Sequence, residues 1–284
     1  MADTNSYPPL YFAPDMLTGK VALVTGGGTG MGRVTAIQMA RCGARVVLYS
    51  RRLEVLEACA AEIEALGGPE VLCIVGDTRE PEQIDTALER IAEVHGGLDI
   101  LVNNAGGQYV SAAKNISNKG FAAVIANNLI ASWQVTSAVA HRFMLEGGGK
   151  IVFVTAAHRA GFRGFSHTAS ARGGVAALVK SLAAEWAEHG IQINAVAPGT
   201  VEVEAMAQYP IPRERWDAQK RNLQNRMGKP EDVANTIVFL ASPMGDFITG
   251  EEWYVDGGET LNLAHDSREL IDDGMYHQRK RADE

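Results

Sequence analysis

Short apolar runs rich in β-branched residues alternate along the chain with longer segments of helical periodicity. The predicted strands are Val21–Val24, Arg45–Tyr49, Val71–Val75, Ile100–Val102, Ile151–Val154, Gln192–Val196 and Trp253–Val255. Helical spacing is found, among others, in Leu53–Leu66, Pro81–His95, Val175–His189 and Pro230–Ala241. Because strands that are apolar throughout are buried on both faces, this alternation predicts a parallel sheet with helices on both sides.

The alternation is continuous and leaves no place for a domain boundary. Residues 19–262 are therefore predicted to form one α/β domain with a doubly wound, seven-stranded sheet. Residues 1–18 are polar and contain three prolines, which predicts an arm on the surface rather than an element of the core. Residues 263–284 are predicted to be a polar tail.

Composition narrows the functional classes. The net charge of −8 argues against a phosphate-neutralising face and hence against nucleic-acid binding. Cys42, Cys59 and Cys73 form no Cys-x-x-Cys pair, which favours a reducing compartment and no structural metal. No run of apolar residues is long enough to predict a membrane span, and no secretory signal is recognised. We therefore expect a cytoplasmic protein.

A glycine-rich loop follows the first strand and precedes a helical segment. It reads Thr25-Gly26-Gly27-Gly28-Thr29-Gly30-Met31-Gly32. Glycines at such a place let the backbone turn tightly and approach a pyrophosphate at the positive end of the helix. With a strand before it and a helix after it, the loop predicts a dinucleotide site rather than a surface loop.

The end of the second strand indicates which dinucleotide binds. An NAD site needs a carboxylate there for the ribose hydroxyls, whereas this chain has Ser50, Arg51 and Arg52. Guanidinium groups would attract the 2′-phosphate that distinguishes NADP. The sequence thus predicts NADP(H), with Arg51 the stronger candidate and Arg52 alternatively a solvated residue of the next helix.

Further motifs follow in the order found in the short-chain dehydrogenase/reductase family, which the chain resembles over roughly residues 20–260. They are Thr25–Gly32, Asp77, Asn103–Gly106, Pro198–Thr200 and Asp256–Gly258. The resemblance implies a Rossmann fold and adds Asp77 at the adenine, Asn104, Ala105 and Gly106 along the cofactor, and Pro198, Gly199 and Thr200 beside the nicotinamide. Of the glycine loop, Gly26, Gly28, Thr29, Gly30, Met31 and Gly32 are expected to contact it.

The catalytic positions implied by the resemblance depart from the family pattern. Ordinary members use a serine, a tyrosine and a lysine, helped by an asparagine. Here the serine position falls on Ala156, the tyrosine position on Thr168 and the lysine position on Arg172, and only Asn128 matches. Ordinary carbonyl reduction needs a proton donor beside an ammonium that lowers its pKa, and this chain supplies neither.

A similar loss is typical of the trans-2-enoyl-CoA and 2,4-dienoyl-CoA reductases within that family, which several stretches resemble. The stretches are Gly26–Gly30, Gly106–Tyr109, Ile116–Gly120, Ala160–Phe162, His167–Arg172 and Lys180–Trp186. Reduction of an enoyl thioester creates an enolate, whose oxygen needs hydrogen-bond donors rather than a bound proton. This chemistry is compatible with a site that lacks tyrosine and lysine.

Four side chains are candidates for holding the cofactor or donating to the substrate. Arg172 is expected to hold the nicotinamide ribose and to supply positive potential, although a surface arginine is the alternative. Thr168 is either a donor to the thioester oxygen or a helix cap. His158 stands where the dienoyl-CoA reductases place a tyrosine, and it can donate near neutral pH. His167 is expected to form a wall of the pocket.

The resemblance also implies a lid over the substrate at about residues 200–228, with Met206 and Tyr209 on its apolar side. The leading hypothesis is an NADPH-dependent reductase of α,β-unsaturated acyl-CoA thioesters. A ketone or enone oxidoreductase and a catalytically silent NADP(H)-binding protein remain alternatives. We also expect a homo-oligomer, most simply a tetramer, because the segment Val175–Trp186 carries more apolar surface than one sheet face would bury.

Overall fold

The computed structural model describes residues 10–208 and 222–261. Its seven strands are β1 (Val21–Thr25), β2 (Arg45–Ser50), β3 (Leu72–Val75), β4 (Ile100–Asn103), β5 (Gly149–Val154), β6 (Ile191–Pro198) and β7 (Glu252–Val255). They form one sheet in the order β3-β2-β1-β4-β5-β6-β7, and every neighbouring pair is parallel. The predicted doubly wound parallel sheet is confirmed.

The helices alternate with these strands. They are α1 (Gly30–Arg41), α2 (Leu53–Ala65), α3 (Pro81–His95), α4 (Asn118–Ile125), α5 (Ala131–Val139), α6 (Leu145–Gly147), α7 (Ser166–Glu185) and α8 (Pro230–Ala241). Two π-helical turns, Ala126–Ile130 and Ala140–Met144, join α4 to α5 and α5 to α6. Strand positions agree with the sequence prediction to within two residues at each end.

Two separate apolar cores cover the two faces of the sheet. On one face, residues of α1, α2 and α8, such as Ile37, Leu56 and Ile237, pack on the strands. On the other, residues of α3, α5 and α7, such as Leu88 and Val179, do the same. Burial on both faces explains why the strands are apolar throughout rather than alternating in polarity.

The end of the N-terminal arm differs from the expectation that the arm lies outside the core. Leu17 is only 1% exposed and belongs to the core that contains α1. Its backbone N–H donates to the carbonyl of Cys42, just after α1. Leu10 and Phe12 pack against the same core. An apolar side chain at each of these positions is removed from water by lying against the base of α1.

Helix α7 begins earlier than its apolar periodicity suggests. The predicted segment of helical spacing began at Val175, directly after Gly173 and Gly174. The helix in fact begins at Ser166. A Cβ on Gly174 would lie 2.9 Å from a methyl of Leu129, so at least this glycine permits close packing between two helical segments. The extension places Thr168 and Arg172 one turn apart on the same helix face.

Strand order reverses between β1 and β4, because the chain proceeds from β1 to β2 and β3 on one side and from β4 to β7 on the other. In open parallel sheets a crevice forms at the carboxyl ends of the strands at such a point, and ligands bind there. The glycine-rich loop follows β1, and Asn103–Gly106 lies at the end of β4. The fold therefore brings both predicted cofactor motifs to this crevice.

Gly32 tests how tightly α1 approaches the loop that precedes it. A Cβ on this residue would lie 2.3 Å from the carbonyl oxygen of Gly26, a backbone atom that cannot move aside. Gly32→Ala should therefore lower the free energy of unfolding by about 1–3 kcal/mol, measured by urea denaturation.

Gly97→Ala is the matched control, because no heavy atom lies within 4 Å of its added Cβ. Its stability should stay within about 0.5 kcal/mol of the parent protein. Equal stability of the two variants would mean that α1 does not approach Gly26 as closely as described.

Candidate active site

The glycine-rich loop has the backbone geometry that an anion site requires. Gly26 and Gly30 have φ values of +64° and +53°, which side-chain-bearing residues rarely adopt. Helix α1 starts directly after Thr29, and its first turn contains no acidic residue. The positive end of the helix dipole and its unpaired N–H groups thus face the crevice without a competing carboxylate.

Thr25 and Asn104 bind the loop after β1 to the loop after β4. The Thr25 hydroxyl accepts hydrogen bonds from the backbone N–H groups of Asn104 and Ala105, each at 3.0 Å. The Asn104 side chain donates in return to the carbonyls of Thr25 and Gly26, at 3.0 and 3.2 Å. The Asn104 amide is thus used within the protein, and the cofactor contact expected at Asn104 stays a prediction.

The predicted ribose end of the site is strongly basic. Ser50 forms a tight turn with Arg52, its hydroxyl lying 3.4 Å from the Arg52 nitrogen. Arg51 and Arg52 are exposed, and neither forms an ion pair with another described residue. Both guanidinium groups are therefore available to an anionic ligand, as the sequence predicts.

Asp77 lies after β3, and its carboxylate forms an ion pair with Arg79. Arg79 donates to both carboxylate oxygens, at 2.9 Å through Nε and 2.5 Å through Nη2. These bonds hold the pKa of Asp77 below its usual value, and the nearby charge of Arg51 adds to the effect. The sequence analysis missed Arg79, although its place two residues after the predicted adenine contact was visible.

Asn128 lies in the π-helical turn between α4 and α5 and is fully buried. Its amide nitrogen donates to the carbonyls of Gly107 and Val124, both at 2.8 Å. Its amide oxygen accepts the Gly107 N–H at 3.2 Å. The side chain therefore fixes the loop segment that follows β4, and this turn type is frequent at functional sites.

Arg172 is the most unusual charged group of the described residues. It is 7% exposed, and its Nη1 donates to the carbonyl of Val154 at 2.8 Å, while its Nε has no hydrogen-bond partner. No carboxylate pairs with it among the described residues, and burial alone lowers its pKa to about 10. A Cβ on Gly106 would lie 2.4 Å from its Nη2 and 2.6 Å from Oδ1 of Asn128. Gly106, Asn128 and Arg172 thus meet at one place.

Thr168 and His167 are both completely buried at the start of α7. Nδ1 of His167 accepts the backbone N–H of Thr168 at 2.8 Å and lies 3.3 Å from its hydroxyl. Burial lowers the pKa of His167, so the ring is neutral at neutral pH. The ring of Tyr109 packs edge-on against it, with centroids 4.5 Å apart. His167 is therefore packed inside the protein against Tyr109, its place in a pocket wall stays a prediction, and Thr168 has a polar neighbour.

His158 contacts a different set of residues. Its Nε2 lies 3.2 Å from Oε1 of Glu252, the first residue of β7. The same oxygen accepts the hydroxyl of Thr155 at 2.6 Å. No hydrogen bond joins His158 to Asn128, Thr168 or Arg172 among the described residues. The sequence analysis missed Glu252, which stands as an acid directly before the apolar run Trp253–Val255.

The ends of β5, β6 and β7 are joined where the nicotinamide is expected. The N–H after the serine position, that of Ala157, donates to the Pro198 carbonyl at 2.8 Å. Gly199 donates to Val255, and Thr200 donates through its N–H and hydroxyl to Glu259, at 2.7 and 3.0 Å. The Thr200 side chain is therefore used within the protein, and the signal for Glu259 was its place just after the closing Asp-Gly-Gly.

The predicted lid is only partly described. Met206 is 9% exposed, which agrees with an apolar inner side. Tyr209 and all the residues that follow it up to 221 lie outside the described residues, as does the tail 263–284. Among residues 10–208 and 222–261 no group of three possible metal ligands is found, and none of their helices is both long and apolar enough to cross a membrane.

Comparisons with known proteins agree with this geometry. A family model described as enoyl-(acyl carrier protein) reductase matches residues 26–260. A peroxisomal 2,4-dienoyl-CoA reductase of Danio rerio is 30% identical, covering 94% of this chain and 90% of that protein. The (2S)-[(R)-hydroxy(phenyl)methyl]succinyl-CoA dehydrogenase subunit BbsD of Thauera aromatica is 34% identical, with coverages of 86% and 98%. The structure of a short-chain dehydrogenase from Burkholderia cenocepacia in complex with NADP has a TM-score of 0.78 at 32% identity, covering 86% of this chain and 99% of that one.

The bonds of Asn128 lead to a stability prediction. Asn128→Ala removes these partners from the N–H and carbonyl of Gly107, which is an exposed residue, and from the carbonyl of Val124, which is 5% exposed. A buried polar group left unpaired costs about 1–3 kcal/mol, so urea denaturation should show a loss of about 1–3 kcal/mol, chiefly from Val124. Asn118→Ala, at an exposed position of α4, should change stability by less than about 0.5 kcal/mol. Similar losses in both variants would contradict the bracing role.

Proposed function

We propose, since the chain belongs to the short-chain dehydrogenase/reductase family, that this oxidoreductase reduces the carbon–carbon double bond of α,β-unsaturated acyl-CoA thioesters with NADPH. The observation that carries the proposal is the buried Arg172 guanidinium beside Gly106 and Asn128, with Thr168 one turn before it. This arrangement supplies a fixed positive charge near the crevice. It contains no tyrosine with an adjacent ammonium, which carbonyl reduction in this family uses.

The described residues fit a nicotinamide dinucleotide. The left-handed conformations of Gly26 and Gly30 and the acid-free start of α1 suit a pyrophosphate. The exposed Arg51 and Arg52 suit a 2′-phosphate, and this supports NADP over NAD. Arg172 has a buried Nε without a partner, and we propose that this guanidinium faces the ribose next to the nicotinamide.

A bound NADPH supplies the hydride that adds to the β-carbon of the enoyl thioester. The electron pair of the double bond would then move onto the thioester oxygen as an enolate, and a proton from water would join the α-carbon. The protein's task is to stabilise the developing charge on that oxygen with donors already in place. We propose that Arg172 contributes positive potential and that Thr168 and His158 are the donors, with Asn128 holding the loop that carries Gly106 and Gly107.

Relatives support the substrate class but leave an alternative reaction. The Danio rerio relative is named as a 2,4-dienoyl-CoA reductase, which supports an unsaturated thioester. The Thauera aromatica relative is named as a dehydrogenase of a hydroxylated succinyl-CoA, which supports a CoA thioester oxidised at an alcohol. A ketone or enone oxidoreductase therefore stays the second candidate, and a silent NADP(H)-binding protein the third.

We further propose a homo-oligomer, with the tetramer as the expected form and light scattering as its measure. The reason differs from the one the sequence suggested, because Val175, Val179 and Leu182 of α7 are buried within the protein. Exposed apolar side chains lie instead on the α4–α5 segment, where Ile130 and Trp133 are 47% and 41% exposed. A second copy covering them would remove this surface from water. The expected cytoplasmic location stays a prediction.

Cofactor preference can be tested at Arg51. The protein should bind NADPH more tightly than NADH, and Arg51→Ala should weaken NADPH binding by about tenfold to a hundredfold, the range for one charge-assisted contact. Binding of NADH should change little, because it lacks the 2′-phosphate. Titration calorimetry with both cofactors gives these affinities. Arg90→Ala, an exposed arginine of α3 that is paired with Glu93, is the matched control. Equal affinities for both cofactors in the parent protein would contradict the assignment.

The reaction is tested with NADPH absorbance and a panel of crotonyl-CoA, a cyclic enoyl-CoA, enones and ketones. We expect turnover of the enoyl thioesters and little turnover of the ketones. His158→Ala should lower kcat by about 10²-fold if the imidazole donates to the enolate oxygen. The double variant Thr168→Tyr with Arg172→Lys should not improve the native reaction, because a larger ring must enter a place where Thr168 is 0% exposed.

Two results of this panel would change the assignment. If no enoyl thioester is reduced, the proposed reaction is wrong, and the ketone or silent-binding alternatives replace it. If His158→Ala retains full activity, His158 is not the donor and the role passes to Thr168 or His167.

A further inference from the structure

Glu252 is a buried acid on an otherwise apolar edge of the sheet. Its side chain is only 11% exposed. The next residue, Trp253, packs on the opposite face of the sheet against Phe239, with ring centroids 5.5 Å apart. Since side chains alternate along a strand, Glu252 and Tyr254 point to the face that α7 covers. A carboxylate at this depth is costly unless donors surround it.

Three side-chain donors surround this carboxylate. Thr155, at the end of β5, donates to Oε1 at 2.6 Å, and His158 lies 3.2 Å from the same oxygen. Tyr254 is a third partner; its own burial, the charge of Glu252 and their hydrogen bond raise the pKa of the phenol to about 12. Although burial alone would raise the pKa of Glu252, the bonds from His158 and Thr155 outweigh it and lower that pKa. Glu252 is therefore an ionised acceptor at neutral pH.

An ionised acceptor determines which imidazole nitrogen carries hydrogen. Because Glu252 can only accept, Nε2 of His158 must be the protonated nitrogen. Nδ1 is then the nitrogen that points elsewhere. It lies on the side of the ring near Gly173, where an added Cβ would be 4.0 Å from Nδ1 and 3.9 Å from Cε1. Gly173 directly follows Arg172 on α7, so Nδ1 faces the helix that carries the proposed catalytic groups.

The loop that carries His158 is also held by residues in and just after β7. Arg159 stacks over the Tyr254 ring with its guanidinium carbon 4.2 Å from the centroid, and its Nε donates to Thr260 at 3.0 Å. Ala157 is bound to the end of β6. Glu252 and Tyr254 are thus titratable groups that lie near His158 in the described chain, and Arg159 is a charged residue next to it.

We propose that Glu252 is a positioning residue for His158, fixing its ring and its Nε2–H tautomer so that Nδ1 is the nitrogen presented toward α7. In this form Nδ1 accepts when the ring is neutral and donates when the ring is protonated. The carboxylate lies behind the ring and fixes its orientation without contacting the substrate. The inference rests on the proposed function for its chemical consequence, whereas its structural part concerns His158 and Glu252 alone.

The test uses two substitutions at Glu252, one that removes the charge and one that also removes the hydrogen-bond acceptor. Glu252→Gln removes the charge but keeps an oxygen that can accept from Nε2, whereas Glu252→Leu removes the acceptor at similar size. Glu251→Gln is the matched control, because it removes a charge at the next, exposed position. NADPH affinity, measured by calorimetry, should be the same within about twofold in all three, since the site of Arg51 and the glycine-rich loop is untouched.

The first readout needs no substrate. Imidazole ¹⁵N shifts of histidine-labelled protein report the tautomer, and the His158 signals are those lost in His158→Ala. Wild type, Glu252→Gln and Glu251→Gln should show hydrogen on Nε2, while Glu252→Leu should show a mixture or the Nδ1–H form. An unchanged Nε2–H tautomer in Glu252→Leu would overturn the proposal, whatever reaction the enzyme catalyses.

The second readout uses whichever substrate of the panel turns over. Glu252→Leu should lower kcat about tenfold with little change in KM, a part of the roughly 10²-fold loss expected without the imidazole. Glu252→Gln should recover most of that loss. In a His158→Ala background, Glu252→Leu should have no further effect on kcat, because the two residues act as one unit.

These outcomes separate the two proposals. If Glu252→Leu lowers kcat by the same factor in the wild-type and His158→Ala backgrounds, then Glu252 acts on the fold. That result would overturn its positioning role. If Glu252→Leu does not fold, Glu252→Asp replaces it, since the shorter side chain withdraws the acceptor from Nε2 and keeps the charge. If no enoyl thioester is reduced, the proposed function is refuted. The tautomer measurement then remains as the test of the positioning role of Glu252.

Discussion

The hydroxyl of Thr25 is the contact on which the arrangement of the crevice depends. At the end of β1 it accepts two backbone N–H groups from the β4 loop, and Asn104 returns two bonds to the β1 loop. Parallel strands alone would leave these two loops free to separate where the strand order reverses. Once they are joined, Gly106 and Gly107 are held where Asn128 and Arg172 reach them. These contacts therefore form a continuous series from the glycine-rich loop to Arg172 on α7.

Arg172 adds a buried positive charge to this series of contacts. A buried guanidinium without a carboxylate is destabilising for the folded protein, and the fall of its pKa to about 10 expresses that cost. The same unneutralised charge lies beside the backbone of Gly106 and raises the affinity of this place for negative charge. A group that weakens the fold alone can thus serve a reaction that transfers a hydride and leaves an anion behind.

Most of the fold could be predicted from the sequence, because its strands are buried on both faces and therefore contain a strong apolar signal. The start of α7 could not, since Gly173 and Gly174 resemble a loop and only the packing against Leu129 accounts for Gly174. Leu17 was placed outside the core because residues 1–18 as a whole are polar and contain three prolines.

Less of the candidate site than of the fold could be predicted from the sequence. The positions of Asn128, Thr168 and Arg172 follow from motif order, and the helix register brings the last two together. The partners of these residues do not follow from any local pattern. Arg79, Glu252 and Glu259 act across the fold or beside it, and Glu252 lies 94 positions from the histidine it binds. Such pairs are determined by which strands become neighbours, and that information is distributed over the whole chain.

The crowding of Gly106 has a consequence for how this chain can change over evolutionary time. Nη2 of Arg172 occupies the space of the missing Cβ at 2.4 Å, and Oδ1 of Asn128 closes it from another side at 2.6 Å. A larger residue at Gly106 therefore meets two side chains, and a smaller residue at position 172 relieves only one of the two clashes. Substitutions at positions 106, 128 and 172 are thus epistatic, because the effect of a side chain at 106 depends on which residues stand at the other two.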